Sequence, residues 1–173
     1  MTSGASESPV PVVLAIHGGA GTLLREDMTP DKEAAYRAAL EEALRAGHAV
    51  ITKGGSAMDA VTATIRPMEE SALFNAGKGA VLTHDERCEL DASVMDGGTG
   101  LAGAVAGVST VRSPILAARA VMEHSEHVML SGPGAESYAT EQGLEIVPNT
   151  FFQTDRRREQ LRQSIADEKH GTV

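Results

Sequence analysis

The chain has 173 residues, 24 of them acidic against 15 basic, for a net charge of -9; that is enough for one domain with a sizeable core and too little for two typical ones. The negative balance repels phosphate backbones and anionic lipid headgroups, so neither nucleic acid nor a membrane surface is an expected partner. The single cysteine, Cys88, rules out an internal disulfide, and no 18-residue apolar run or charged-then-apolar leader is present, so the expected setting is reducing and cytoplasmic.

Residues 1–9 are small and polar and read as a disordered leader. Val10 to His17 is a valine-rich apolar run expected to form a strand buried on both faces, with Pro11 tolerated at its start. It ends in the glycine turn Gly18-Gly19-Ala20-Gly21. Thr29-Pro30 supplies an N-cap and a first-turn proline, and Tyr36, Leu40, Ala43, Leu44, Gly47, Val50 and Ile51 recur at helical spacing, which predicts an amphipathic helix over 30–52. Gly54-Gly55 stops it. Ser56 to Asp59 resembles a capping box opening a second helix, which Pro67 should kink or end near Ile65.

Beyond an irregular loop through Phe74 and Gly77, residues 80–83 and 88–95 read as a β-hairpin around His84-Asp85-Glu86-Arg87. Residues 101–110 form a small-residue strand, and Ser113-Pro114 opens a helix to about Glu123. A short buried strand at 128–130, a helix over 135–141 ended by Gly143, and a charged, solvated helix over 155–167 complete the chain. This pattern is α+β or α/β, with helices packed on sheets.

Few residues stand out for chemistry. The glycine clusters 19–24 and 132–137 lack the third glycine of a dinucleotide cradle and read as turns. His124 and His127 have no further ligand at metal spacing, and Glu69, Glu70, Glu89 and Asp91 are scattered acids expected at this net charge. Asp91 and Asp96, near a strand exit, suit hydrogen bonds to loop amides, and Arg156-Arg157-Arg158 reads as a solvated face. Gly171-Thr172-Val173 combines a residue able to bend tightly with a threonine. Such a threonine becomes a self-sufficient nucleophile once its α-amine is free to act as base.

The chain resembles the plant-type L-asparaginase and isoaspartyl aminopeptidase family of N-terminal nucleophile hydrolases. The likeness is carried by residues 15–21 (AIHGGAG), 55–61 (GSAMDAV), 73–81 (LFNAGKGAV), 89–97 (ELDASVMDG), 103–108 (GAVAGV), 114–122 (PILAARAVM), 127–130 (HVML) and 170–173 (HGTV). It spans about residues 10–173 and the first part of the family's length. The resemblance implies an αββα sandwich made by the α and β parts of one self-cleaved precursor, two such units forming a dimer. Residues 10–171 correspond to the α part, half of that sandwich, and 172–173 to the start of the β part.

It further implies that Gly171-Thr172 is the autocleavage site and Thr172 the nucleophile, with Asn75 and the Gly18-Gly19 segment in support. The backbone carbonyls of Met68, Glu69, Ser71, Phe74, Ala76 and Lys78 match a loop holding a structural sodium ion, although Ala72 stands where the family commonly has proline. No organic cofactor is implied. Substrates would be L-asparagine or β-aspartyl dipeptides, because Gly171 stands where glycosylasparaginases usually carry an acid and no secretory leader is seen. The residues that clamp the substrate and form the oxyanion hole belong to the β part, so the chain alone is expected to be inactive and to associate through an uncovered sheet face. The alternative expectation is a truncated, non-enzymatic remnant acting only by pairing with another protein.

Overall fold

The computed structural model describes residues 12–21, 25–169 and 171. The leader at 1–9 and the nucleophile position Thr172 lie outside the described residues.

Two long helices come first. Helix α1, Pro30–Thr52, opens as its sequence demands: Thr29 Oγ1 accepts the Lys32 N–H at 3.2 Å and proline occupies the first turn. Helix α2, Ala57–Glu70, starts with a full capping box between Ser56 and Asp59. The two cross closely at Gly47, where a Cβ would overlap Thr64 Oγ1 and lie 2.9 Å from the Ala60 carbonyl oxygen. Glycine is therefore what lets α1 approach α2.

The sheet has three strands in the order β1 (Leu90–Met95), β2 (Ala102–Val108), β3 (Met129–Ser131). Strands β1 and β2 are antiparallel, whereas β3 runs parallel to β2 after a crossover through α3, Pro114–His124. A bulge interrupts the first pairing, since Leu90 faces Val108 but Ala92 faces Val105. Gly107, at φ 61°, supplies the turn of that bulge, and its N–H is held by Asp91 Oδ1 at 2.8 Å. Asp96 accepts the Gly98 N–H at 2.8 Å and so serves a loop amide as expected, whereas the amide held by Asp91 lies within strand β2.

One sheet face is covered by α3. Leu90, Val94, Val105 and Val108 pack with Ile115, Ala117, Ala118 and Val121 into the main core, which Phe152 and Cys88 extend. Among the described residues, nothing covers the opposite face. Ser93 pairs with Ala104 and Ala104 with Met129, giving a row of outward side chains across all three strands, and Met95 and Met129 are 66% and 55% exposed. Helix α4, Gly132–Glu141, and helix α5, Asp155–Lys169, follow the sheet.

Five expectations need correction. The run at 12–17 is not a buried strand: it has no ladder partner among the described residues, and Val12 and Val13 are 65% and 87% exposed. The hairpin is only a turn, closed by Thr83 N–H to Arg87 O at 2.8 Å, and strand pairing begins at Leu90. Pro67 does not end α2 near Ile65; it lies in the final turn, where it removes one hydrogen bond while Met68 and Glu69 beyond it are buried. The strand expected to be buried at 128–130 runs over Met129–Ser131 at the edge of the sheet, and Val128 and Met129 are 64% and 55% exposed. Helix α4 starts at Gly132 rather than 135, with Pro133 in its first turn.

Candidate functional site

The loop at 71–79 is wound tightly onto the end of α2. The Glu69 carbonyl accepts the Lys78 N–H at 2.7 Å, and Met68 O accepts the Ser71 N–H at 3.2 Å. Gly77 takes φ 52°, and a Cβ there would overlap the Glu69 carbonyl oxygen and lie 2.9 Å from its carbon. Gly79 takes φ 97°, with a Cβ falling 2.7 Å from Ala72 O. Glycine is required at both positions because the left-handed backbone and the close approach coincide.

The side chains of this loop tie it to α1. Phe74 is buried and meets Tyr36 edge to face at 6.0 Å between centroids, while the Tyr36 hydroxyl donates to Leu73 O at 3.2 Å. Gly18 lies over the same patch: a Cβ on it would stand 3.3 Å from Leu40 and 3.5 Å from Phe74. His17 Nδ1 accepts the Gly19 N–H at 3.2 Å, closing the glycine turn locally. The fold thus brings the Gly18-Gly19 turn beside the loop that carries Asn75. Asn75 itself is exposed, with Oδ1 accepting the Val81 N–H at 2.9 Å.

Beneath the loop lies a buried carboxylate. Burial pushes the Glu69 carboxyl up to about 7, against the opposing effect of the Ser113 hydroxyl and the Ile115 N–H, which donate to it. These donors open α3, so Glu69 caps that helix from 44 residues away. The geometry gives Glu69 a structural position. Arg112 adds a brace beside it, pairing with Glu70 at 2.8 Å and Glu145 at 2.7 Å.

The six carbonyls matched to a cation loop fall at Met68, Glu69, Ser71, Phe74, Ala76 and Lys78. The first two belong to the last turn of α2, where the dipole is negative and no basic residue stands, and both already accept one backbone N–H, from Ser71 and Lys78. Uncharged carbonyl oxygens at a helix C-terminus fit a hard monovalent cation better than a transition metal. Among the described residues, no cluster of three or more His, Cys, Asp or Glu forms a metal site, and no helix is long and apolar enough to cross a membrane.

At the far end of α5, Gly171 takes φ 67° and its N–H donates to Glu168 O at 3.1 Å. Nothing described lies within 4 Å of where its Cβ would stand. The structure therefore groups Gly18, Gly19 and Asn75 around α1 and the 71–79 loop, and leaves Gly171 at the tip of a helix. One site-facing residue escapes sequence reasoning. Arg157, read as part of a solvated basic run, is buried, and its Nε–H donates to Gly79 O at 2.7 Å.

Residues 10–173 match the family described as asparaginase. Over 161 residues, 93% of this chain and 49% of the relative, the chain is 52% identical to the isoaspartyl peptidase of Escherichia coli. It is 44% identical to the plant-type L-asparaginase of Pyrobaculum calidifontis, over 91% of this chain and 51% of the relative. The isoaspartyl peptidase/L-asparaginase of Xenopus laevis is 37% identical over 90% of this chain and 48% of the relative. The chain spans about half the length of the curated relatives it matches. With the match extending from the first apolar run through the glycine turn, the Asn75 loop and the Gly171-Thr172 end, the chain belongs to the asparaginase family.

Proposed function

We propose that this chain is the α portion of a self-cleaving threonine hydrolase that removes the side-chain amide of L-asparagine, cleaves β-aspartyl dipeptides, or does both. The observation that carries the reading is the family match across residues 10–173, which reaches the Gly171-Thr172 pair. The left-handed backbone at Gly171, φ 67°, supports it, because a sharp bend before the threonine suits attack by a neighbouring hydroxyl.

In the proposed maturation, Thr172 Oγ attacks the Gly171 carbonyl carbon, and the hydroxyl proton passes to the departing Thr172 nitrogen. An ester replaces the peptide bond. Water then hydrolyses the ester, giving a Gly171 carboxylate and a Thr172 with free hydroxyl and amine. In turnover that amine takes the hydroxyl proton as Oγ attacks the substrate's side-chain carbonyl, and returns it to the leaving ammonia or amino acid; water then hydrolyses the resulting ester on Oγ, releasing aspartate and restoring the hydroxyl. Asn75 stands as a supporting amide, with Gly18-Gly19 keeping the adjacent surface low.

The same reading makes the bare face of β1 to β3 the side that meets a second sheet supplied by the β part, so that this chain forms half of an αββα sandwich. Two such αβ units pair. A sodium ion held by the 68–78 carbonyls would stiffen the Asn75 loop and take no part in bond breaking. Without the clamp and oxyanion donors of the β part, residues 1–173 alone do not turn over substrate, since loss of a single oxyanion donor costs about 100 to 1000-fold.

The test is hydrolysis of L-asparagine and a β-aspartyl dipeptide by the full-length gene product. Ammonia or aspartate release that disappears in Thr172→Ala supports the reading. Release unaffected by that substitution overturns it.

A further inference from the structure

The segment at 12–17 has the chemistry of a strand and no ladder. Among the described residues, no backbone N–H or carbonyl from Val12 to His17 has a hydrogen-bond partner. Its side chains nevertheless alternate as a strand's do: Leu14 and Ile16 are half-buried, whereas Val13, Ala15 and His17 are exposed. An apolar extended segment with free backbone groups invites pairing with another strand.

The inward pair is seated on the first two helices. Ile16 packs against the cluster of Ala43, Met68 and Phe74, and Leu14 lies at the crossing of α1 and α2, where a Cβ on Gly47 would stand 2.8 Å from its Cδ2. Beside Leu14 runs an open groove of about 340 Å³, lined by Glu41, Leu44, Arg45 and His48 of α1. The groove leaves room on the same helix for the side chains of a neighbouring strand.

Width decides what completes this layer. Helices packed side by side stand about 8 to 10 Å apart, so a pair presents a face about 20 Å wide, whereas strands lie about 4.8 Å apart. Covering α1 and α2 therefore takes about four strands, of which residues 12–17 supply one. Strands β1 to β3 pair with one another and pack on α3. A second copy of this chain would bring one more strand like 12–17. Roughly half the length of the relatives lies outside this chain, which is ample for the rest.

We infer that residues 12–17 are one strand of a second sheet, laid on α1 and α2, whose other strands come from the β part. The inference rests on the proposed reading that such a part follows Gly171. Main-chain pairing gives the free N–H and carbonyl groups of 12–17 their partners, and because Leu14 and Ile16 already face the helices, the side-chain register of the new sheet is set by this chain.

The experiment is residue-resolved hydrogen exchange on the full-length gene product at low and high protein concentration, together with its crystal structure. The amides of 13–17 exchange about 100-fold or more slowly than unpaired chain at both concentrations, with β2 as the internal standard of a folded ladder. In the crystal structure their ladder partners lie beyond residue 173. Exchange at the unpaired rate while β2 stays protected overturns the inference. Protection that appears only at high concentration identifies a second copy as the partner and also overturns it, as does a ladder formed with residues of 18–171. Unpaired 12–17 in a product that hydrolyses asparagine or a β-aspartyl dipeptide leaves the hydrolase reading standing. A paired segment in a product that hydrolyses neither supports the inference and overturns the hydrolase reading.

Discussion

Replacing Gly77 with alanine tests whether the Asn75 loop is built on a close approach that only glycine permits. Two effects add. Alanine at φ 52° costs about 1 to 2 kcal/mol for the left-handed backbone. The Cβ would also overlap the Glu69 carbonyl oxygen, which is backbone and already accepts the Lys78 N–H at 2.7 Å. Relief requires the loop to lift, losing a hydrogen bond worth about 1 kcal/mol and disturbing packing worth about as much again. The expected loss is about 3 to 4 kcal/mol, or about 6 to 16 °C in melting temperature for a chain of this size. Gly54→Ala is the internal control. Gly54 also has a positive φ, 78°, but nothing lies within 4 Å of its Cβ position, so it should lose only about 1 to 2 kcal/mol. Urea and thermal unfolding followed by circular dichroism measure both, and a Gly77→Ala loss no larger than that of Gly54→Ala would refute the close-approach argument.

Two further outcomes are expected. Partial burial opposes the charge on Glu136, but the Ser109 N–H and hydroxyl and the Thr110 N–H donate to it and hold its carboxyl below the ordinary value. A depressed carboxyl stabilises the fold above its unfolded pKa of about 4.3 and loses that contribution as pH falls through the folded value. Glu136→Gln should therefore cost about 1 kcal/mol at pH 7, after allowance for solvent screening, with the gap to wild type closing below about pH 4; a gap that widens in acid contradicts the assignment. The bare sheet face makes a separate claim. Sedimentation of residues 1–173 should show concentration-dependent association that Met95→Lys with Met129→Lys reduces, and a monodisperse wild-type monomer at high concentration counts against it.

Features encoded by neighbours were legible in the sequence. The Thr29-Pro30 start of α1 and the Ser56-Asp59 box of α2 are local hydrogen-bond arrangements, and both form as the residue spacing implies. Features that depend on a distant partner were not. Val12 and Val13 have strand composition but no ladder to join among the described residues. Pro67 is tolerated because of where the helix happens to end. Arg157 reads as one of three solvated arginines, and only the arrival of Gly79, 78 residues earlier in the chain, buries it. Glu69 looked like one acid among many until α3 began 44 residues later against its side chain. The proposed roles of Thr172, Asn75 and Gly18-Gly19 rest on the distributed family motifs, whereas composition and periodicity alone point to turns and solvated acids.

The claim at the centre of this account is that the bond between Gly171 and Thr172 is where the chain is cut. Intact mass spectrometry of the full-length gene product, with N-terminal sequencing of the released fragment, measures it directly. The account predicts a fragment ending at Gly171 and a second beginning at Thr172, both absent in Thr172→Ala. A single uncut mass after prolonged incubation, or a cut at any other bond, contradicts it.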